Sequence, residues 1–255
     1  ISGFFGSGKS HFLKILSYLL ENKEVSGKKA IDYFVDDNKI SDQMVLADMK
    51  LVSTVQTDVV LFNIDSKSEV NGKHSKDAIV SVLQNVFNEM QGFSGSNPFL
   101  ADMERKLTEE GKYDLFKEKF EDNFGSTWEE SRSDFDFIQD DVVEVLDEID
   151  FMSIESGRNW CEKATGDYKY KVEDFAQLVK KYLDKKENNH HIVFLIDEIG
   201  QYIGDDSKLM LNLQTVTEDL GTACGGKAWI IVTSQQDIDS ITKTKGNDFS
   251  KIQGR

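Results

Sequence analysis

Residues Gly3 to Ser10 read Gly-Phe-Phe-Gly-Ser-Gly-Lys-Ser, which fills every fixed position of the pattern GxxxxGK[ST]. No other stretch constrains the chain as strongly. Glycines at these places let main-chain N–H groups turn inward around phosphate oxygens, and a helix that follows points its positive end at the same oxygens. A nucleotide contact surface is therefore expected from Gly3, Phe4, Phe5, Gly6, Ser7, Gly8, Lys9 and Ser10. Lys9 is expected on the β- and γ-phosphates and the Ser10 hydroxyl on Mg²⁺. His11, on the first helical turn, is placed either against phosphate or base or on the open helix surface.

The pattern after the loop supports that reading. Phe12, Leu13, Leu16, Leu19 and Leu20 have helical spacing. Ile40 to Val52 carries a weaker helical pattern. Asp58 to Ile64 is a short, nearly continuous apolar run, as expected of a buried parallel strand. From Ser66 to Asn189 strand signals vanish, and apolar stripes recur at helical spacing around Ile79 to Met90, Leu115 to Phe120, Phe135 to Ile149 and Val172 to Leu183. Asn97-Pro98 opens a further segment. Strands return at Ile192 to Ile196 and Ala228 to Val232, with a helix over Lys208 to Leu220 that ends at Gly221 or at Gly225-Gly226. Strands alternating with helices, joined to the phosphate loop, predict an α/β P-loop NTPase fold with a parallel sheet. The expected division is a first core part over 1–65, a helical insertion over 66–190 and a second core part over 191–255. The chain opens directly on the loop, so the preceding strand and the lid are read as lying outside this segment.

The second chemical signal is the acidic pair at the end of the 192–196 run. Carboxyl ends of parallel strands are where α/β sheets present ligands. Asp197 is expected to hold Mg²⁺, and Glu198 to act as general base on the attacking water, which favours hydrolysis over transfer to another acceptor. Thr233 and Ser234, just past the last strand, are catalytic candidates as γ-phosphate or water sensors and are inseparable at this level. Asn63 and Asp65 end the earlier strand similarly, and a turn or packing role is expected for them. His190-His191 lacks a third ligand at sensible spacing and reads as a solvated approach to a strand. Trp229 reads as core, and the acidic stretch Asp140 to Asp150 as a solvated helix face.

Composition narrows the classes. A net charge of −16 argues against a nucleic-acid surface built by this segment. Arginine occurs only at Arg105, Arg132, Arg158 and Arg255, so no arginine finger can be assigned. Cys161 and Cys224 are far apart and expected to be reduced and inert. No apolar run reaches the length of about 18 residues needed to span a membrane.

The blocks Gly3 to Lys14, Asp58 to Asp65, Val193 to Gly204, Leu211 to Thr222 and Ala228 to Asp237 together resemble the P-loop ATPase of the bacteriophage-exclusion (BREX) defence systems, the BrxC/PglY family. The resemblance implies a large cytoplasmic bacterial protein with an AAA+-like (ASCE-type) ATPase core, oligomeric at full length. It would work with a DNA methyltransferase and other BREX components, and DNA would be reached through the complex. It matches the phosphate loop to Gly3–Ser10 and the acidic pair to Asp197 and Glu198, and implies ATP and Mg²⁺ as ligands. Two other classes stand beside it: a nucleotide-gated scaffold with negligible turnover, and an origin-recognition-like or signalling ATPase outside phage defence.

Overall fold

The computed structural model describes residues 1–4, 6–68 and 77–235. Two compact units emerge: residues 1–82 with 170–255, and residues 83–169. The second unit falls inside the span 66–190, while the helix over Val172–Asp184 belongs to the first.

The first unit is built on a parallel sheet. Helix α1 (Lys9–Glu21) follows the phosphate loop, then a two-residue hairpin, β1 (Glu24–Val25) and β2 (Lys28–Lys29), and the short α2 (Asp32–Val35). Next comes α3 (Gln43–Val52), whose N-cap Asp42 accepts from the amides of Met44 and Val45. Strand β3 (Thr57–Asn63) runs into α4 (Ile64–Ser68), and α5 (Ala78–Met90) leads into the second unit. After α6 to α10 in that unit, the chain returns through α11 (Val172–Asp184), β4 (His191–Asp197), α12 (Ile199–Ile203), α13 (Ser207–Ala223) and β5 (Ala228–Val232). Helix α13 runs past Gly221 and stops before Gly225 and Gly226, both at positive φ. They allow the left-handed turn that a side chain would oppose.

The sheet order is β3-β4-β5, all parallel. Ser2 bridges Ser234 in parallel, and the amide of Ser234 donates to the Ile1 carbonyl at 2.9 Å. The residues entering the phosphate loop thus run along the far side of the end of β5. One strand separates them from β4, which carries the acidic pair.

Strand β4 is central, and Ile192 through Ile196 are buried on both faces, as its unbroken apolar run requires. Leu13 of α1 packs with Val193 and Leu195, joined by Leu16, Leu20, Val59 and Ile231. On the opposite face Phe194 meets Phe175 of α11 edge-on, ring centroids 6.0 Å apart. Trp229 corrects the sequence reading. It pairs with Val193 in register and so shares the α1 face, yet it is 49% exposed. Helix α1 lies over β3 and β4, and the apolar pattern of β5 says nothing of how far that cover extends. His190 is a second correction. It is buried, and its Nε2 pairs with Asp58 Oδ2 at 2.6 Å, beside the Tyr182 hydroxyl that donates to the same oxygen. Burial opposes the Asp58 charge, but these hydrogen bonds and the nearby positive groups prevail and lower its pKa.

The second unit contains α6 (Pro98–Glu109), α7 (Tyr113–Phe124), α8 (Trp128–Ser131), a 3-10 turn (Arg132–Phe137), α9 (Gln139–Glu148) and α10 (Ile154–Ala164). Asn97 caps α6 by accepting from the amides of Phe99 and Leu100, with Pro98 in the first turn. Its core joins Leu100, Leu107, Phe116, Phe120, Trp128, Val142 and Leu146 among others. Into this core is set a carboxylate that periodicity does not reveal. Glu104 is fully buried and accepts from Trp128 Nε1 at 2.7 Å, Arg132 at 2.9 Å, the Tyr113 hydroxyl at 3.0 Å and the Ser94 amide at 2.5 Å. Removing it would strand buried donors around an uncompensated guanidinium. Glu104→Ala is expected to destabilise this unit by about 3–5 kcal/mol. Denaturant unfolding followed by tryptophan fluorescence, with Trp128 and Trp160 in this unit and Trp229 in the other, would check this. An unchanged midpoint for the Trp128 and Trp160 signal would refute it.

Candidate functional site

The site begins where the Ile1–Gly3 segment leaves β5. The Gly3 amide donates to the Ser234 carbonyl at 3.2 Å. A Cβ at Gly3 would stand 2.8 Å from Ser7 Oγ, so the turn closes over a bare α-carbon. Gly6 and Gly8 hold φ of 78° and 84°, a left-handed region that disfavours side chains. The Phe4 ring is 87% exposed, and Phe5 lies outside the described residues.

Gly8 is also the N-cap of α1 and supplies no side-chain cap. The first intrahelical bond runs from the Phe12 amide to the Gly8 carbonyl at 2.8 Å. The amides of Lys9, Ser10 and His11 precede it and have no acceptor within the helix. They form an exposed, uncapped positive end suited to an anion. Lys9 Nζ donates to the carbonyls of Gly3 at 2.6 Å and Phe4 at 3.0 Å. The ammonium therefore sits over the loop whose amides would receive phosphate. Ser10 and His11 are both exposed on this first turn.

The second half of the site lies at the carboxyl ends of β3, β4 and β5. Asp197 ends β4, and its carboxylate accepts from the Thr233 hydroxyl. Thr233 is fully buried, and its Oγ1 accepts in turn from the Glu198 amide at 2.9 Å. One hydroxyl thus fixes both members of the acidic pair. Glu198 has φ 62°, an uncommon left-handed conformation for a non-glycine residue. That backbone reversal sends its carboxylate back toward β3, where Glu198 Oε2 accepts from Asn63 Nδ2 at 2.7 Å. Asn63 stands opposite Asp197 in the parallel register. Its own Oδ1 accepts from the amides of Asp65 and Ser66, so the amide is held at both ends.

The structure separates Thr233 from Ser234. Thr233 faces the acidic pair, whereas the Ser234 side chain lies against Gly200 of α12. Asn63 makes the turn contacts expected from the sequence and in addition reaches Glu198. That second contact depends on β3 lying beside β4, which the residues of the strand do not themselves encode.

The donor chemistry here is compatible with a divalent cation. Among the described residues no group of three or more His, Cys, Asp and Glu side chains is placed to cage a metal ion. Mg²⁺ needs no such cage, since it keeps waters and takes one or two protein ligands beside substrate phosphates. The Ser10 hydroxyl on the first turn of α1 and the Asp197 carboxylate at the end of β4 are oxygen donors of the kind it takes. Cys161 and Cys224 are free and buried, and burial pushes both thiols up to about 11, which makes them poor nucleophiles.

The chain matches the KAP family P-loop domain over residues 1–252. It belongs to the KAP family of P-loop NTPases. No solved structure matches the chain. Membership supports nucleotide binding by this domain and accords with a loop–helix unit at one end of a parallel sheet. Among the described residues no helix is long and apolar enough to cross a membrane.

Proposed function

We propose that this KAP domain binds Mg-ATP and hydrolyses it to ADP and phosphate, with Glu198 as general base. The observation that carries this reading is the hydrogen-bonded set Asn63–Glu198–Thr233–Asp197, joined through Ser234 to the Ile1–Gly3 segment that enters the phosphate loop. The amides after Gly8 and the Lys9 ammonium would hold the phosphates. Mg²⁺, held by Ser10 and Asp197, would supply positive charge to the β- and γ-phosphate oxygens. Glu198 would take the proton from the attacking water as the bond to the leaving ADP oxygen breaks. Thr233 keeps Asp197 and the Glu198 backbone in fixed relation throughout.

Two observations favour slow basal turnover and a gated role. The Glu198 carboxylate is held by Asn63, and that bond must loosen or rotate for the oxygen to reach water. Arg105, Arg132 and Arg158 all fall in the second unit, so among the described residues the first unit contains no arginine. Arg255 lies outside the described residues. A guanidinium supplied from elsewhere would speed turnover by about 10³- to 10⁵-fold. The domain then acts as a switch whose ATP and ADP states are read by partners.

The finer placement in a cytoplasmic phage-defence assembly, with a DNA methyltransferase and other BREX components, rests on the block resemblance alone. A methyltransferase gene beside the coding sequence would support it, and its absence across related genomes would remove it. The biochemical test is phosphate release by the chain in Mg-ATP and in ATP with EDTA. Slow magnesium-dependent release is expected. Phosphate release no faster in Mg-ATP than in ATP with EDTA would overturn the hydrolysis.

A further inference from the structure

The end of β5 meets α12 more closely than side chains normally allow. A Cβ built on Gly200 would fall 2.0 Å from Ser234 Oγ, 2.7 Å from its Cβ and 3.3 Å from its Cα. Ser234 is 1% exposed, and its hydroxyl has no hydrogen-bond partner among the described residues. A buried hydroxyl left unpaired costs about 1–3 kcal/mol, so hydrogen bonding does not explain this packing. What the contact does is mechanical. The Ser234 main chain is tied to the loop-entering segment on one side, donating to Ile1 and accepting from Gly3. Its side chain bears on α12 on the other. Glu198 is the N-cap of that helix, two residues before Gly200, and its carbonyl accepts from the amides of Gln201 and Tyr202.

We infer that Gly200 and Ser234 are positioning residues for the Glu198 carboxylate. Their contact sets the separation of α12 from the end of β5, and so sets where Glu198 stands between Thr233 and Asn63. It also forms a direct path by which movement of the phosphate loop reaches the base: Gly3 moves Ser234, Ser234 moves Gly200, and α12 carries Glu198. The path has no slack, because a bare α-carbon and a buried side chain in close contact cannot absorb displacement as a flexible chain would.

This inference rests on Glu198 being the base, so its test needs a readout besides turnover. The Asn63 side-chain amide provides one. Its ¹⁵N-edited resonances in the full chain report whether Nδ2 is bonded to Glu198, and Glu198→Ala gives the reference for an unbonded amide. Gly200→Ala is expected to move these resonances toward that reference. Turnover should fall about 10²-fold, the scale of a displacement of about 1 Å at a reacting group, with ATP affinity within about threefold of the unaltered chain. Adding Ser234→Gly removes the clashing atoms and is expected to restore the Asn63 resonances and at least tenfold of the lost rate. Should Gly200→Ala fail to fold, Ser234→Thr adds a methyl to the same contact from the other side and is expected to shift Asn63 in the same direction. Unmoved Asn63 resonances in whichever variant folds, or a double variant no closer to the unaltered chain than Gly200→Ala, would overturn the inference. A chain that shows the expected resonance shifts but never hydrolyses ATP would sustain the positioning and refute the hydrolysis.

Discussion

Glu198→Gln is expected to lower ATP turnover by about 10²- to 10⁴-fold, the usual contribution of a positioned general base, while Mg-ATP affinity stays near that of the unaltered chain. The separation follows from the geometry. Glutamine keeps the side chain's length and an oxygen that can accept from Asn63 Nδ2, so the bond seen at 2.7 Å has a neutral equivalent. The Glu198 amide still donates to Thr233, and Asp197 is untouched. Only the ability to take a proton is lost. ATP should therefore remain bound and intact, as single-turnover quench measurements would show. Turnover within tenfold of the unaltered chain would remove Glu198 from the role of base. Full biological function of a Glu198→Gln chain would instead favour a scaffold that binds ATP without needing to cleave it.

The second large effect is expected at Lys9. Lys9→Ala should weaken ATP binding by about 10- to 100-fold, since a charge-assisted contact contributes about 1.5–3 kcal/mol. Among the described loop residues Lys9 is the one cation, and its ammonium lies over the carbonyls of Gly3 and Phe4. Folding should change little, because those carbonyls can bond to water once the ammonium is gone. Titration with a fluorescent ATP analogue, together with a thermal melt, would distinguish the two effects. Unchanged ATP affinity in a folded Lys9→Ala chain would contradict the phosphate assignment. Loss of affinity together with a large fall in melting temperature would show instead that Lys9 holds the loop together.

The phosphate loop was legible in the sequence because its chemistry is local. Glycines at fixed offsets, a lysine and a hydroxyl residue on the first helical turn need no distant partner to be recognised. The helices were legible for a similar reason: an apolar stripe at helical spacing reports one buried face, as in α9 and α11. Asp197 and Glu198 were placed by their position at the end of an apolar strand. Asn63 was not, because its role depends on which strand lies beside β4 and in what register. Neither is encoded within seven residues of strand.

Trp229 and Glu104 show the same limit from opposite sides. An apolar strand residue was read as core, but the extent of a helix's cover is set by packing, and Trp229 lies at its margin. Nothing in the sequence pattern singles out Glu104, yet Trp128, Tyr113, Arg132 and the Ser94 amide converge on it from other segments. The sequence by itself determined the phosphate cradle, the alternation of strands and helices, and the position of the acidic pair. The tertiary structure alone decided that Asn63 holds Glu198, that Thr233 and not Ser234 faces the acids, and that Gly200 lies where a side chain would press on Ser234. Each of those depends on two segments distant in sequence meeting at hydrogen-bond or van der Waals distance, and such meetings are fixed by the packing of the whole sheet.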